Sequence, residues 1–144
     1  EAQILAQGVN LKKGAKNLLA FLQREGIPIA LATSSVESRA RMILDSNGIL
    51  SLFDHLVFAK DVKRSKPYPD IFLKACSVLN VLPENCLVLE DSEAGIEAAS
   101  RAGIPVICIP DLKIPAQSFL NKTEQVFQDL DAVRDYLESK KEVF

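Results

Sequence analysis

Five residues carry the chemistry this sequence can offer: Thr33 and Ser34, then Lys66, then the adjacent pair Glu90 and Asp91. Hydroxyls, the first N–H groups of a helix and an ammonium all suit phosphate oxygens. Two neighbouring carboxylates suit a hard divalent cation such as Mg²⁺, which takes oxygen ligands. Together they describe a phosphoryl-transfer site, where catalysis is chiefly positioning and neutralisation of charge. Each member also has an ordinary structural use. Thr33-Ser34-Ser35 can cap a helix. Lys66 alone reads as a solvated surface lysine, and Glu90-Asp91 alone as acids favoured at a helix N-terminus. Ser92 reads as the N-cap of the following helix. His55, the sole histidine, has no partner at ligand spacing, and Tyr68 and Asp54 read as structural or solvated. The joint occurrence, in order and at strand ends, favours the phosphate reading.

Those strand ends come from the hydrophobic pattern. Ala15, Leu18, Leu19 and Leu22 fall at i, i+3, i+4 and i+7, a helix face that Gly26 can end. "IPIALA" (Ile27 to Ala32) follows as a continuous apolar strand, the pattern of a sheet covered on both faces. A second helix carries Val36, Ala40, Ile43 and Leu44, and "HLVFA" (His55 to Ala59) is the next strand. Phe72, Ala75, Cys76 and Leu79 mark a third helix, with Pro69 and Asp70 suited to its first turn. "CLVLE" (Cys86 to Glu90) is a strand, "SEAGIEAASRAG" a helix ended by Gly103, and "PVICI" (Pro105 to Ile109) a strand. "EQVFQDL" offers a short edge strand before a last helix near Asp131 to Glu138, and Asp111 to Thr123 reads as a surface connection. Residues 1–10 read as helical, then turning at Gly8, the tail of a linker. Strands alternating with helices predict α/β architecture: a Rossmann-like three-layer α/β/α arrangement with a mostly parallel sheet. In such a sheet, ligands bind beyond the carboxyl ends of the strands. Thr33, Lys66 and Glu90-Asp91 all fall there.

The composition sets the remaining bounds. The chain has 144 residues, 48% of them hydrophobic and 25% charged, with a net charge of −2. That suits one globular domain over 1–144 and disfavours nucleic acid as a partner, which calls for a basic patch. No apolar run reaches the roughly 20 residues that span a bilayer, so no membrane partner is expected. Cys76, Cys86 and Cys108 are odd in number, lack C-x-x-C spacing and sit among apolar neighbours, so they read as buried thiols in a reducing cytoplasm.

"IALATSS", "RSKPYPDIF" and "CLVLEDSEAGIEAASRAG" resemble motifs II, III and IV of the haloacid dehalogenase-like superfamily. The likeness is greatest to its β-phosphoglucomutase-like phosphatases and sugar phosphomutases, and runs from about Leu11 to Pro110. The resemblance implies that Thr33 binds the transferring phosphoryl group through its hydroxyl, helped by the Ser34 N–H. It implies that Lys66 bridges that group and the nucleophile. It implies that Asp91 is a Mg²⁺ ligand, with Glu90 beside it as a ligand or a support. A small phosphorylated metabolite, such as a sugar phosphate, is the implied substrate. In the superfamily the nucleophile and the general acid/base belong to an Asp-x-Asp motif on the first strand, and a helical cap follows it. No Asp occurs before Asp45. This chain is therefore expected to lack the nucleophile, the cap and the central first strand, and to be inactive alone. A further segment or a strand donor would have to complete the sheet. The alternative is a non-catalytic phosphate- or metal-binding domain acting as a regulator or partner subunit. A receiver domain is excluded by order, because it needs its acids first and its lysine last.

Overall fold

The computed structural model describes residues 2–6 and 13–141. In chain order the elements are β1 (Ala2–Ala6), α1 (Ala15–Arg24), β2 (Ile29–Thr33), α2 (Glu37–Ser46), β3 (His55–Phe58) and α3 (Asp70–Leu79). They continue with β4 (Cys86–Glu90), α4 (Glu93–Arg101), β5 (Val106–Cys108), α5 (Gln117–Leu120), β6 (Gln125–Val126) and α6 (Leu130–Lys141). The strands form one sheet in the order β3-β2-β1-β4-β5-β6, and every pairing is parallel. This is the α/β class that the alternating pattern predicts.

Period-2 alternation divides the strand residues between two cores. Ala30, Ala32, Val88 and Val106 join Ile71, Phe72 and Ala75 of α3 and Ile96 and Ala99 of α4 in one cluster. Ile29, Leu31, Leu87, Leu89 and Ile107 join Leu18, Leu19 and Leu22 of α1 and Val133 of α6 in the other. Side chains on alternate sides of each strand thus meet helices on both faces, which is why β2 and β4 read as unbroken apolar runs. Small residues on β2 face α3, where bulky Phe72 fills the space and is fully buried.

Two expectations need correction. Residues 2–6 form a strand, not a helix, and the slot between β2 and β4 is not left open in this chain. β1 fills it, pairing Gln3–Leu5 with Ile29–Leu31 and Ala2–Ala6 with Cys86–Glu90. Ten residues cannot separate helix from strand by periodicity. Two inward sheet edges with unpaired N–H and C=O groups decide the matter, because such groups are costly when buried and unpaired. The expected turn at Gly8 lies outside the described residues. β2 also begins later and ends later than its apolar run suggests, so that Thr33 is its final residue. The Asp54 carboxylate accepts a hydrogen bond from the Ile29 N–H (2.8 Å) at its start, which gives Asp54 its structural use.

Candidate phosphoryl-transfer site

The carboxyl end of β4 is built around Glu90. Its side chain is 1% exposed, and Oε2 accepts a hydrogen bond from Lys66 Nζ at 3.0 Å. Oε1 accepts from the backbone N–H groups of Asp91 (2.9 Å) and Ser92 (3.2 Å) and from the Ser92 hydroxyl (3.1 Å). Ser92 Oγ in turn accepts from the Gly95 N–H (3.1 Å), the N-cap that the sequence predicts for α4. A carboxylate taken from water needs such partners. Burial nevertheless pushes the Glu90 carboxyl above its ordinary value; the Lys66 ammonium opposes the rise, while the adjoining Asp91 side chain adds to it.

Lys66 comes from the loop between β3 and α3. Its side chain is 15% exposed, so the solvated-lysine reading fails. Its ammonium lies 5.2 Å from the centre of the Phe72 ring. The Glu90 carboxylate and the ring face hold it between them. Thr33 is buried at the end of β2, where its Oγ1 accepts from the Ser35 N–H (3.1 Å). Ser34 beside it is exposed. Lys66 and Glu90 are thus in direct contact, with Asp91 adjoining. Thr33 stands apart from them, since β1 lies between β2 and β4 and places their ends about 10 Å apart.

Asp91, Ser92 and Glu93 form one wall of a cleft of about 360 Å³, and Asp111 to Lys113 with Pro115 form the other. Among the described residues no group of three or more His, Cys, Asp or Glu side chains could hold a metal ion. The donor set present still fits Mg²⁺, which usually keeps several waters and binds through one or two carboxylates plus substrate phosphate. Asp91 lines the cleft, while both Glu90 oxygens are engaged by the protein.

Sequence reasoning missed Gly95 and the cleft wall after β5. A Cβ at Gly95 would lie 1.9 Å from Glu90 Cδ, so only glycine lets α4 approach the carboxylate. A glycine in a helix's first turns, where it costs stability against alanine, was the available signal. Nothing in the sequence marked residues 111–115, because what makes them a wall is their position across from Asp91. Tyr68 is a surface residue stacked on Arg64 (4.4 Å), and His55 is an exposed strand end.

A sequence model of the haloacid dehalogenase-like hydrolases matches residues 1–103. The chain belongs to that family. Among haloacid dehalogenase-like relatives it is 40% identical over 121 residues to the validoxylamine A 7'-phosphate phosphatase of Streptomyces hygroscopicus subsp. limoneus, covering 84% of this chain and 56% of that protein. The crystal structure of a beta-phosphoglucomutase from Clostridium difficile superposes with a TM-score of 0.76 at 30% identity, covering 90% of this chain and 56% of that one. CbbY from Rhodobacter sphaeroides, solved in complex with phosphate, gives a TM-score of 0.75 at 30% identity, covering 83% and 54%. The chain spans a little over half the length of these proteins.

Proposed function

We propose that this chain is the core of a Mg²⁺-dependent phosphohydrolase or phosphomutase acting on a small phosphorylated metabolite, with a sugar phosphate the favoured class. The observation that carries the reading is the ion pair between the partly buried Lys66 and the buried Glu90 at the end of β4, with Asp91 beside it on the cleft. A lysine drawn against a buried carboxylate at a strand's carboxyl end is spent on more than surface solvation. Relatives whose names specify a phosphatase and a phosphomutase support the same reaction class.

In this mechanism Glu90 holds the Lys66 ammonium in one orientation, so its charge needs no reorganisation when the substrate's phosphoryl group arrives. Thr33, through its hydroxyl, and the Ser34 N–H bind the phosphoryl oxygens from the β2 side. Asp91, with Glu90 as ligand or support, would hold Mg²⁺, which supplies charge neutralisation on the phosphate oxygens when bound. A carboxylate nucleophile attacks phosphorus, the substrate oxygen departs, and water or a second hydroxyl then takes the phosphoryl group from the aspartyl-phosphate. With no Asp before Asp45, we assign that nucleophile to a residue outside this chain. The three buried thiols suit a cytoplasmic setting.

One observation favours the non-catalytic alternative: the central position between β2 and β4 is held by Ala2–Ala6, a strand without an acid. A single experiment separates the two. The coding sequence preceding Glu1 is read for an Asp-x-Asp segment, and the protein that includes it is assayed with p-nitrophenyl phosphate and Mg²⁺. Metal-dependent turnover supports the enzyme. An encoded Asp-x-Asp with no turnover on any phosphomonoester would leave the regulator.

A further inference from the structure

Cys76 and Cys86 lie outside the candidate site, and no step above uses them. Cys76 sits in the second half of α3 and Cys86 opens β4. Both are buried in the core between the sheet and α3–α4, and their sulfurs are 3.3 Å apart. A disulfide needs about 2.05 Å between sulfurs, so closure asks for an approach of about 1.3 Å. The connection between them is short and well tied. The Val81 N–H donates to the Cys76 carbonyl (3.1 Å), Asn80 adopts the left-handed conformation (φ 57°), and Pro83–Asn85 form a 3₁₀ turn that leads into Cys86. The third thiol cannot compete. Cys108 pairs across the sheet with Glu90, four residues along β4 from Cys86, or about 13 Å.

We infer that Cys76 and Cys86 form a latent modification site: a dithiol that closes to an intramolecular disulfide when a small-molecule disulfide reaches it. In the first step the thiolate of one cysteine attacks the oxidant R–S–S–R, making a mixed disulfide and releasing one RS⁻, which takes up a proton. The second cysteine, as thiolate, then attacks the protein sulfur of that mixed disulfide and expels the second RS⁻. Two S–H bonds break, one S–S bond forms, and the oxidant is reduced to two RSH.

The reduced form is protected kinetically. Burial, together with the contact to Cys86, pushes the Cys76 thiol up to about 12, so the attacking thiolate is scarce in the closed core. Oxidation therefore proceeds through local opening, and the bond, once formed, ties α3 to β4. Those two elements lead from Lys66 and to Glu90, so the staple would join the supports of the candidate ion pair.

The test uses the 144-residue chain, reduced and then equilibrated with oxidised glutathione, both in native buffer and during refolding from urea. Remaining thiols are blocked with N-ethylmaleimide under denaturing conditions, and the peptides are mapped by mass. The expected product has lost two hydrogen atoms and contains a cross-linked Cys76–Cys86 peptide. Its single maleimide adduct is on Cys108, dithiothreitol reverses the loss, and Tm is several degrees higher than that of the reduced chain, since the cross-link restricts the unfolded state. Formation should be faster during refolding than in native buffer. Three maleimide adducts under both conditions, a lasting glutathione adduct on Cys76 or Cys86, or a cross-link through Cys108 would each overturn the assignment. Cys108→Ser retains the pair and must give the same cross-linked product. Cys76→Ser must lose it, leaving Cys86 to take an adduct.

Discussion

Lys66, Glu90 and Gly95 form one arrangement, in which each residue sets what the others can do. Replacing Lys66 with alanine leaves the buried Glu90 carboxylate without its counter-charge. Breaking a buried pair from one side costs about 3–5 kcal/mol. We expect Lys66→Ala to lower the urea midpoint accordingly, and Lys66→Met with Glu90→Gln to recover much of the loss in a double-mutant cycle. In an active protein containing this core, Lys66→Ala should also reduce turnover about a hundredfold or more; an equal loss from Lys63→Ala would reassign the role. Gly95 offers a test of sign. In an open helix Gly→Ala stabilises by about 1 kcal/mol. Here the new Cβ would meet Glu90 at 1.9 Å, so Gly95→Ala is expected to destabilise by about 1–3 kcal/mol, the usual cost of overpacking. Asp91→Asn should leave the fold intact and weaken Mg²⁺, because a charged oxygen ligand is lost. Titration of activity against Mg²⁺ checks it, and an unchanged half-saturation would remove Asp91 from the metal site.

At the scale of elements, the decisive piece is β1. It is paired on both sides, with Ile4 opposite Ala30 on β2 and Val88 on β4. Proline at Ile4 removes a donor from the middle of a central strand, where it is scarcely tolerated. We expect Ile4→Pro to abolish a cooperative thermal transition, whereas proline at Gln125 on the two-residue edge strand β6 should lower Tm only modestly. Equal effects would place Ala2–Ala6 outside the sheet in solution. α4 depends on its cap as well. Ser92 supplies both the Gly95 N–H acceptor and a donor to Glu90, so Ser92→Ala should reach the upper part of the 0.5–2 kcal/mol range for a lost N-cap.

At the scale of the whole molecule, two paired carboxylates near the surface contribute to the acid limb of stability. Hydrogen bonds from Lys60 and Arg41 lower the Glu37 carboxyl, and those from Lys122 and Arg101 lower that of Glu97. A depressed folded-state value adds stability above the unfolded value near pH 4.3, and that stability is lost as pH falls through the folded value. Tm should therefore fall from about pH 4 downward, and Glu37→Gln with Glu97→Gln should flatten that limb. Because the cationic partners of both carboxyls are exposed, salt should flatten it too. Residues 1–144 alone are expected to show no Mg²⁺-dependent turnover of p-nitrophenyl phosphate, since no Asp precedes Asp45. Robust turnover would refute an external nucleophile.

Much of this protein was determined by its sequence alone. Strands buried on both faces carry unbroken apolar runs, and helices packed on one face repeat every three to four residues, so β2, β4, α1 and α4 were legible from local pattern. The ordered Thr33, Lys66 and Glu90-Asp91 were legible because parallel strands deliver their carboxyl ends to one edge. Only the tertiary structure decided the use of Ala2–Ala6, whose short sequence suits helix or strand until two unpaired sheet edges claim it. Tertiary structure also decided that Lys66 is held against the buried Glu90 and that Gly95 must have no side chain. It likewise brought the Cys76 and Cys86 sulfurs within 3.3 Å of each other. These are contacts between elements distant in sequence, and local periodicity carries no information about which side chains meet when the layers close.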